Sequence, residues 1–523
     1  MYSKKIKVFI TIVFSSISIL AYSQDGKLDS TFGVKGIVTM DFGKFDDQVS
    51  AMKIQKDGKI ILGGNYMSSL GVREFALARY NSDGSLDKSF NSDGKLTFFK
   101  GTDDVGNSIA LQNDGKILFA GGIFNGQYAD LSLIRFNTDG TLDSTFNKIG
   151  YVTTAIGTKT DYARSLAIQS DGKIITGGAY NDDKEFNFAL VRYHSNGSLD
   201  TSFSNDGIAT LNIGAGNDII NSLVLQSDGK ILVTGPIGFG GGASDFSVVR
   251  FNTNGTLDKN FGIQGKTITS INSNGEDYPT TILLQPDDKI ILVGTSDTGS
   301  QQEIAIARYN KDGSLDLTFS MDGIVKTDIS KGPDSGNSAT LQKDGKILVT
   351  GYTYNGTKYD LLLLRYNTNG DLDNSFGKGG IQTYSFTNGH DLGSVIDMQS
   401  DGKILVGGSS GVSTDYSFTL TRYLSKVNLG ILNLSPSKSR VLFYPNPATE
   451  FTTLEYTLTN ETIITIQLKD FQGKIIKTFI NNEKQFAGKY EQPLQLPVDL
   501  ASGNYLLTIS TPNNEQVTIK FIK

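Results

Sequence analysis

Seven aspartates and seven arginines recur through this chain at a single spacing. Asp47, Asp104, Asp161, Asp218, Asp277, Asp334 and Asp391 each stand twelve residues before the lysine of a Gln-x-Asp-Gly-Lys segment. A second set, Asp29, Asp87, Asp143, Asp200, Asp258, Asp316 and Asp373, belongs to Leu-Asp-x-x-Phe. Arg79, Arg135, Arg192, Arg250, Arg308, Arg365 and Arg422 each precede Tyr or Phe. Two chemistries fit: a ring of carboxylates around a channel, able to hold cations, or one hydrogen-bonded set repeated to hold the fold. A group required in every repeat is a fold element, whereas a working site breaks the repetition. The structural reading is therefore preferred, with the arginines in partly buried, bidentate carboxylate pairs.

Other candidates depart from the repetition. The turn Asn81 to Asp87 has the oxygen-rich look of a calcium loop, but lacks the glycine and the final acidic ligand of an EF-hand. Three units carry Asn196, Asn254 or Asn369 at its middle Asp, which leaves room only for weak calcium binding. His194 occupies a turn position and reads as solvated; His390, beside Asp391, is unique among the units. Gly238 to Gly242 lacks the Lys-Ser/Thr of a phosphate loop and reads as a connection between strands. No nucleophile elbow is present. The non-repeated aromatics Tyr128, Tyr180, Phe239, Tyr354 and Tyr416 fall in loops and could stack on sugar rings or peptide side chains.

Composition narrows the chemistry further. The 523 residues include no Cys, no Trp and two His, which excludes disulfides, thiolate–metal centres and thiol catalysis. A net charge of −6 argues against a nucleic-acid partner. Glycine is abundant (59) and proline scarce (10), so the glycines serve ordered turns rather than a disordered linker.

The elements that position these groups are legible as repeats. The Leu-Asp markers are 56 to 58 residues apart, and three independent markers each occur seven times. Each unit holds four strand-like runs, in the first GIVTMDF (36–42), VSAMKIQ (49–55), KIILGGNY (59–66) and FALARY (75–80), termed a to d. Asp-Gly between b and c predicts a two-residue type I′ hairpin. The fifth unit has Asp287-Asp288 instead, so its turn is expected to be strained or of another type. The array opens on an a strand and closes on a d strand, Phe418 to Tyr423. A first strand that completes the last blade closes a ring. The expectation is an all-β protein: a seven-bladed β-propeller of four-stranded blades, followed by a small immunoglobulin-like β-sandwich.

On segments such as DGSLDKSF (83–90) and QKDGKIILGG (55–64), the repeats resemble the delta-60 repeat family of β-propeller-like bacterial surface proteins. That resemblance implies the fold and an extracellular setting, and no common activity. The segment 441–523 is similar to the type A C-terminal sorting domain of the type IX secretion system. The residues that carry the likeness are Tyr444, Pro445, Asn446, Pro447, Gly473, Gly503, Tyr505 and Lys523. It implies the type IX machinery as a partner and export through the periplasm to the outer surface or beyond.

Residues 1–23 read as a signal peptide: Lys4, Lys5 and Lys7, then a 13-residue apolar run, then a cut between Ser23 and Gln24. Once it is removed, no apolar stretch is long enough to cross a membrane. The expected division is 1–23 signal, 24–425 propeller, 426–440 linker and 441–523 sorting domain. The preferred function is a non-catalytic binding or adhesion module for an extracellular glycan or protein, without a cofactor. A glycan- or peptide-processing enzyme on the same scaffold, or a structural surface-layer component, are the alternatives.

Overall fold

The computed structural model describes residues 25–43, 45–238, 244–273, 275–297, 299, 301–412, 415–425, 442–444, 448–458, 461–470, 474–511 and 516–523. The signal segment with Ser23 and Gln24, Phe239, the linker 426–440, Pro445, Asn446, Pro447 and Gly473 lie outside these residues.

The repeats fold as seven antiparallel four-stranded blades. Blade one consists of b (Asp47–Ile54), c (Ile60–Met67), d (Arg73–Tyr80) and the a strand of the next unit (Lys95–Phe98). The other blades repeat this order, and a single bridge, Ser244 to Glu276, joins blades four and five. Each b strand contacts the b strands of both neighbouring blades, and the seventh contacts the first, so the b strands form the inner ring. The c strands carry runs of buried residues such as Ile60, Ile61 and Leu62, because both of their faces pack against adjacent blades. The phenylalanine of each Leu-Asp-x-x-Phe, from Phe32 to Phe376, is fully buried among these layers.

The ring closes as expected. The first strand, Ile37–Met40, pairs antiparallel with the last d strand, Asp415–Tyr423, and completes blade seven. The turns differ from expectation. At the first b–c turn Gly58 N–H donates to Gln55 O and Gln55 N–H to Lys59 O, with only Gly58 at positive φ (84°). This is a three-residue loop, a type I turn followed by a left-handed glycine, rather than a two-residue type I′ turn. In blade five Asp288 takes the same place at φ 66°, so the turn type is kept and the strain is real.

The C-terminal part is a β-sandwich. A three-stranded sheet (Leu442–Tyr444, Phe451–Leu458, Gly488–Gln495) faces a four-stranded one (Thr462–Lys469, Ile475–Gln485, Asn504–Ser510, Gln516–Ile522). Leu454, Tyr456, Ile464, Ile466, Leu507, Ile509 and Phe521 fill the space between them. Gly503 and Lys523 exchange a pair of backbone hydrogen bonds, and the Tyr505 hydroxyl donates to Ala501 O. Backbone pairing sets Tyr444 opposite Thr453.

Candidate functional site

The recurring arginines are tied into the scaffold. In every blade the Arg Nε donates to the Leu-Asp carboxylate at 2.7–2.9 Å, from Arg79–Asp87 to Arg422–Asp29. The Gln-x-Asp-Gly-Lys lysine reaches the same carboxylate, at 2.8 Å for Lys116–Asp143. Each guanidinium also lies 4.4–4.6 Å over the phenylalanine of the Leu-Asp-x-x-Phe segment. In six blades its outer nitrogen donates to a turn carbonyl of the next blade, as Arg192 does to Thr253 O (2.6 Å) and Arg308 to Thr368 O (2.6 Å). With the Leu-Asp carboxylate, the expected bidentate pairing is thus not what forms. The guanidinium divides its donors among a carboxylate, a neighbouring blade and a hydroxyl, because each arginine must join two blades as well as hold one. Despite the cost of burial, hydrogen bonds and cations hold Asp87, Asp143, Asp200, Asp316 and Asp373 well below the usual carboxylate range.

The aspartates at or just before the start of strand b are fully buried in all seven blades. They accept N–H groups from the a–b loop, as Asp161 does from Ile156 (2.6 Å) and Asp391 from Phe386 (2.7 Å). The second oxygen takes a hydroxyl from Ser296 in blade five and Thr353 in blade six. At the same strand position blades one and three carry Tyr66 and Tyr180, and there Asp47 Oδ1 and Asp161 Oδ1 have no partner. Burial pushes Asp47 up to about 7, with Asp41 and Asp46 adding to the rise. The turn aspartates of the calcium-like loop are committed as well: Asp83 Oδ1 accepts both the N–H and the hydroxyl of Ser85.

A belt runs around the inner ring. Six b strands are irregular at one position, occupied by Ser50, Asn107, Arg164, Thr280, Asn337 and Ser394, and Asn221 holds the equivalent place just before the fourth b strand, Ser222–Leu225. Five of these side chains donate to a backbone carbonyl of the next blade: Ser50 to Gly106, Asn107 to Ala163, Asn221 to Pro279, Thr280 to Gly336 and Asn337 to Gly393, at 2.6–2.9 Å. Arg164 is the charged member and donates to the Asn221 side chain (2.6 Å).

The repetition breaks most clearly between blades six and seven. Three equivalent positions flank every blade boundary at the end carrying the c–d loops. At this boundary they hold Tyr352, Tyr359 and His390. The Tyr359 ring centre is 4.9 Å from Tyr352, 5.4 Å from Tyr354 and 5.1 Å from His390. His390 stacks on Tyr416 at 7° between planes and 6.3 Å. Its Nδ1 accepts the Tyr359 N–H (3.0 Å), which anchors the imidazole. All five rings are partly exposed. Of the aromatics expected in loops, Tyr180, Tyr354 and Tyr416 lie instead at the ends of strands c and d, and Tyr354 and Tyr416 meet here together with His390. Tyr128 and Tyr180 lie in blades two and three, where Tyr128 accepts a hydrogen bond from Lys159 (2.7 Å) and Tyr180 sits opposite Asp161 in register. Tyr352 and Tyr359 were missed. The signal was there: at the Tyr352 position other blades have Asn65, Gly122, Ala179, Pro236, Thr295 and Ser409. His194 is a turn residue, as expected, with Nε2 3.7 Å from Asp200.

Two family matches agree with this architecture. Seven stretches, 55–90, 112–146, 169–203, 226–261, 285–319, 342–376 and 399–425, match the family described as "Domain of unknown function (DUF5122) beta-propeller". Residues 442–523 match the "Secretion system C-terminal sorting domain". No curated protein matches the chain. Among solved structures, the polysaccharide lyase Uly1 is similar at 11% identity over 75% of this chain and 92% of its own, with a TM-score of 0.42. A protein of unknown function from Bacteroides caccae is similar at 12% identity over 62% and 96%, with a TM-score of 0.35. The sorting domain indicates secretion to the cell surface or the extracellular space. Among the described residues no helix is long and apolar enough to cross a membrane.

Proposed function

We propose that this chain, built of seven DUF5122 propeller repeats and a type IX sorting tail, is an extracellular binding module that holds a glycan on the face bearing its c–d loops. The observation that carries this reading is the aromatic cluster of Tyr352, Tyr354, Tyr359, His390 and Tyr416. Flat rings with one apolar face and a polar edge offer contact to sugar C–H groups and hydrogen bonds to hydroxyls. They are partly exposed, fixed by a backbone hydrogen bond, and concentrated at one blade boundary. Loops on a rigid scaffold suit binding.

The test is retention of the full secreted chain on insoluble and soluble polysaccharides, compared with Tyr359→Ala and Tyr416→Ala. Binding that falls about tenfold or more in both variants, at unchanged melting temperature, is the expected result. Equal retention of the variants would remove the cluster from the function.

A further inference from the structure

The three positions that hold Tyr352, Tyr359 and His390 between blades six and seven are occupied between blades two and three by Gly122, Ala129 and Thr160. Small residues there open a cleft of about 390 Å³, within the range of ligand pockets. Val105, Phe124 and Ala129 give it an apolar wall, and Asn107 and Arg164 carry it to the inner ring. Arg164 is the one cation among the seven belt residues. Its guanidinium is exposed, donates through Nη1 to Asn221 Oδ1, and lies 5.4 Å from the centre of the Tyr162 ring. At the rim, Arg73 is neutralised by a two-pronged pair with Asp103 (2.8 and 2.6 Å); Lys159, next to Thr160 in the chain, hydrogen-bonds the Tyr128 hydroxyl and lies 3.9 Å from Asp183.

A cation placed where other blades use serine, threonine or asparagine, beside a cleft made by the loss of side chains, matches an anionic group attached to a compact ring. A guanidinium edge is suited to a carboxylate. We infer that the cleft between blades two and three binds a carboxylate-bearing sugar unit, with Arg164 pairing its carboxylate and the Val105–Phe124–Ala129 wall covering its ring. The inference rests on the glycan-binding reading above and narrows it to acidic polysaccharides.

The probes are polygalacturonate, its fully methyl-esterified form and dextran sulfate, titrated against the full secreted chain. Arg164→Gln removes the charge. Ala129→Phe fills the cleft with a side chain that blade three already carries at the same position, Phe186. The expected result is binding of polygalacturonate that weakens on the order of tenfold or more in each variant, at unchanged melting temperature. The ester binds the wild type as weakly as polygalacturonate binds Arg164→Gln. Polygalacturonate binding that survives both variants but is lost in Tyr359→Ala would overturn this site and leave the glycan reading standing. Equal affinity for the ester, or binding of dextran sulfate alone, would also overturn the carboxylate assignment. Failure to bind any polysaccharide in the wild type would overturn the glycan reading and this site with it.

Discussion

Asp25 and Arg365, 340 residues apart in sequence, meet in a two-pronged ion pair with N–O distances of 3.1 and 2.7 Å. Their side chains are 2% and 3% exposed. In the six other blades the same arginine arm holds a turn carbonyl of the next blade. Blade seven has no continuous turn to offer, because its d–a hairpin is divided between the two ends of the propeller. Gly26 N–H donates to Leu424 O (2.7 Å) and Leu424 N–H to Lys27 O (2.8 Å), which rebuilds the hairpin across the gap. A charged pair thus stands where continuity of the chain serves elsewhere.

Asp25→Asn should therefore destabilise the ring more than a surface change does. One partner of a buried pair is lost while Arg365 keeps Asp373, so a loss of about 3 kcal/mol is expected. Urea unfolding followed by tyrosine fluorescence measures it, and a change below about 0.5 kcal/mol would show that the strand pairing alone closes the ring.

Arg308→Lys keeps the charge near Asp316 but gives up the fork that reaches Thr368 O and the stacking 4.5 Å over Phe319. A loss of about 2 kcal/mol is expected in the same unfolding experiment. A neutral outcome would mean that charge on Asp316, rather than guanidinium geometry, is what the blades use.

Asp47 supplies a pH dependence. Its folded-state value of about 7 lies above its ordinary 3.8, so between those values the folded form holds a proton that the unfolded form has lost. The stability this group lends is full below about 3.8 and is lost as pH rises from there through about 7. Burial is the main cause, Asp41 and Asp46 add to it, and the Phe42 N–H and Lys95 oppose it. Asp47→Asn keeps an acceptor for Phe42 and removes the titration. The fall in melting temperature between pH 5 and pH 8 should become shallower in the variant, and an unchanged slope would assign the dependence to other buried carboxyls such as Asp161 and Asp218.

Asp288→Gly relieves a left-handed aspartate at a turn where the other units have glycine. A gain of about 0.5–1 kcal/mol is expected, since the steric cost of φ 66° exceeds the extra chain entropy of glycine. Calorimetry on the full chain checks its sign.

Much of this architecture could be read from residues. The Leu-Asp and Arg-Tyr markers gave the blade number, and their pairing in space is the Arg–Asp contact. The turn type could not be read, because Asp-Gly serves a type I′ pair and the end of a three-residue loop equally well. The sandwich strand Gly488–Gln495 carries little strand signal, since only Leu494 is buried along it and Pro493 interrupts it. Tyr352 and Tyr359 lie inside strands c and d, where an aromatic reads as core. The cleft at Gly122 and Ala129 is harder still: it is defined by side chains that are missing, and their effect depends on Thr160, which arrives from another blade.

The divided hairpin of blade seven also fixes how the propeller would respond to a pull. Both ends of its chain leave from one corner, and the last strand, Asp415–Tyr423, is flanked by Ile37–Met40 on one side and Ile404–Val412 on the other. Tension applied through residue 425 enters a strand clamped on both edges and passes across one blade to the opposite terminus. The six remaining blades, with the cleft and its cation, lie off that line of force, whereas the aromatic cluster reaches into blade seven through His390 and Tyr416, the latter on the loaded strand. A tether at this end would strain the closure before it disturbed the cleft.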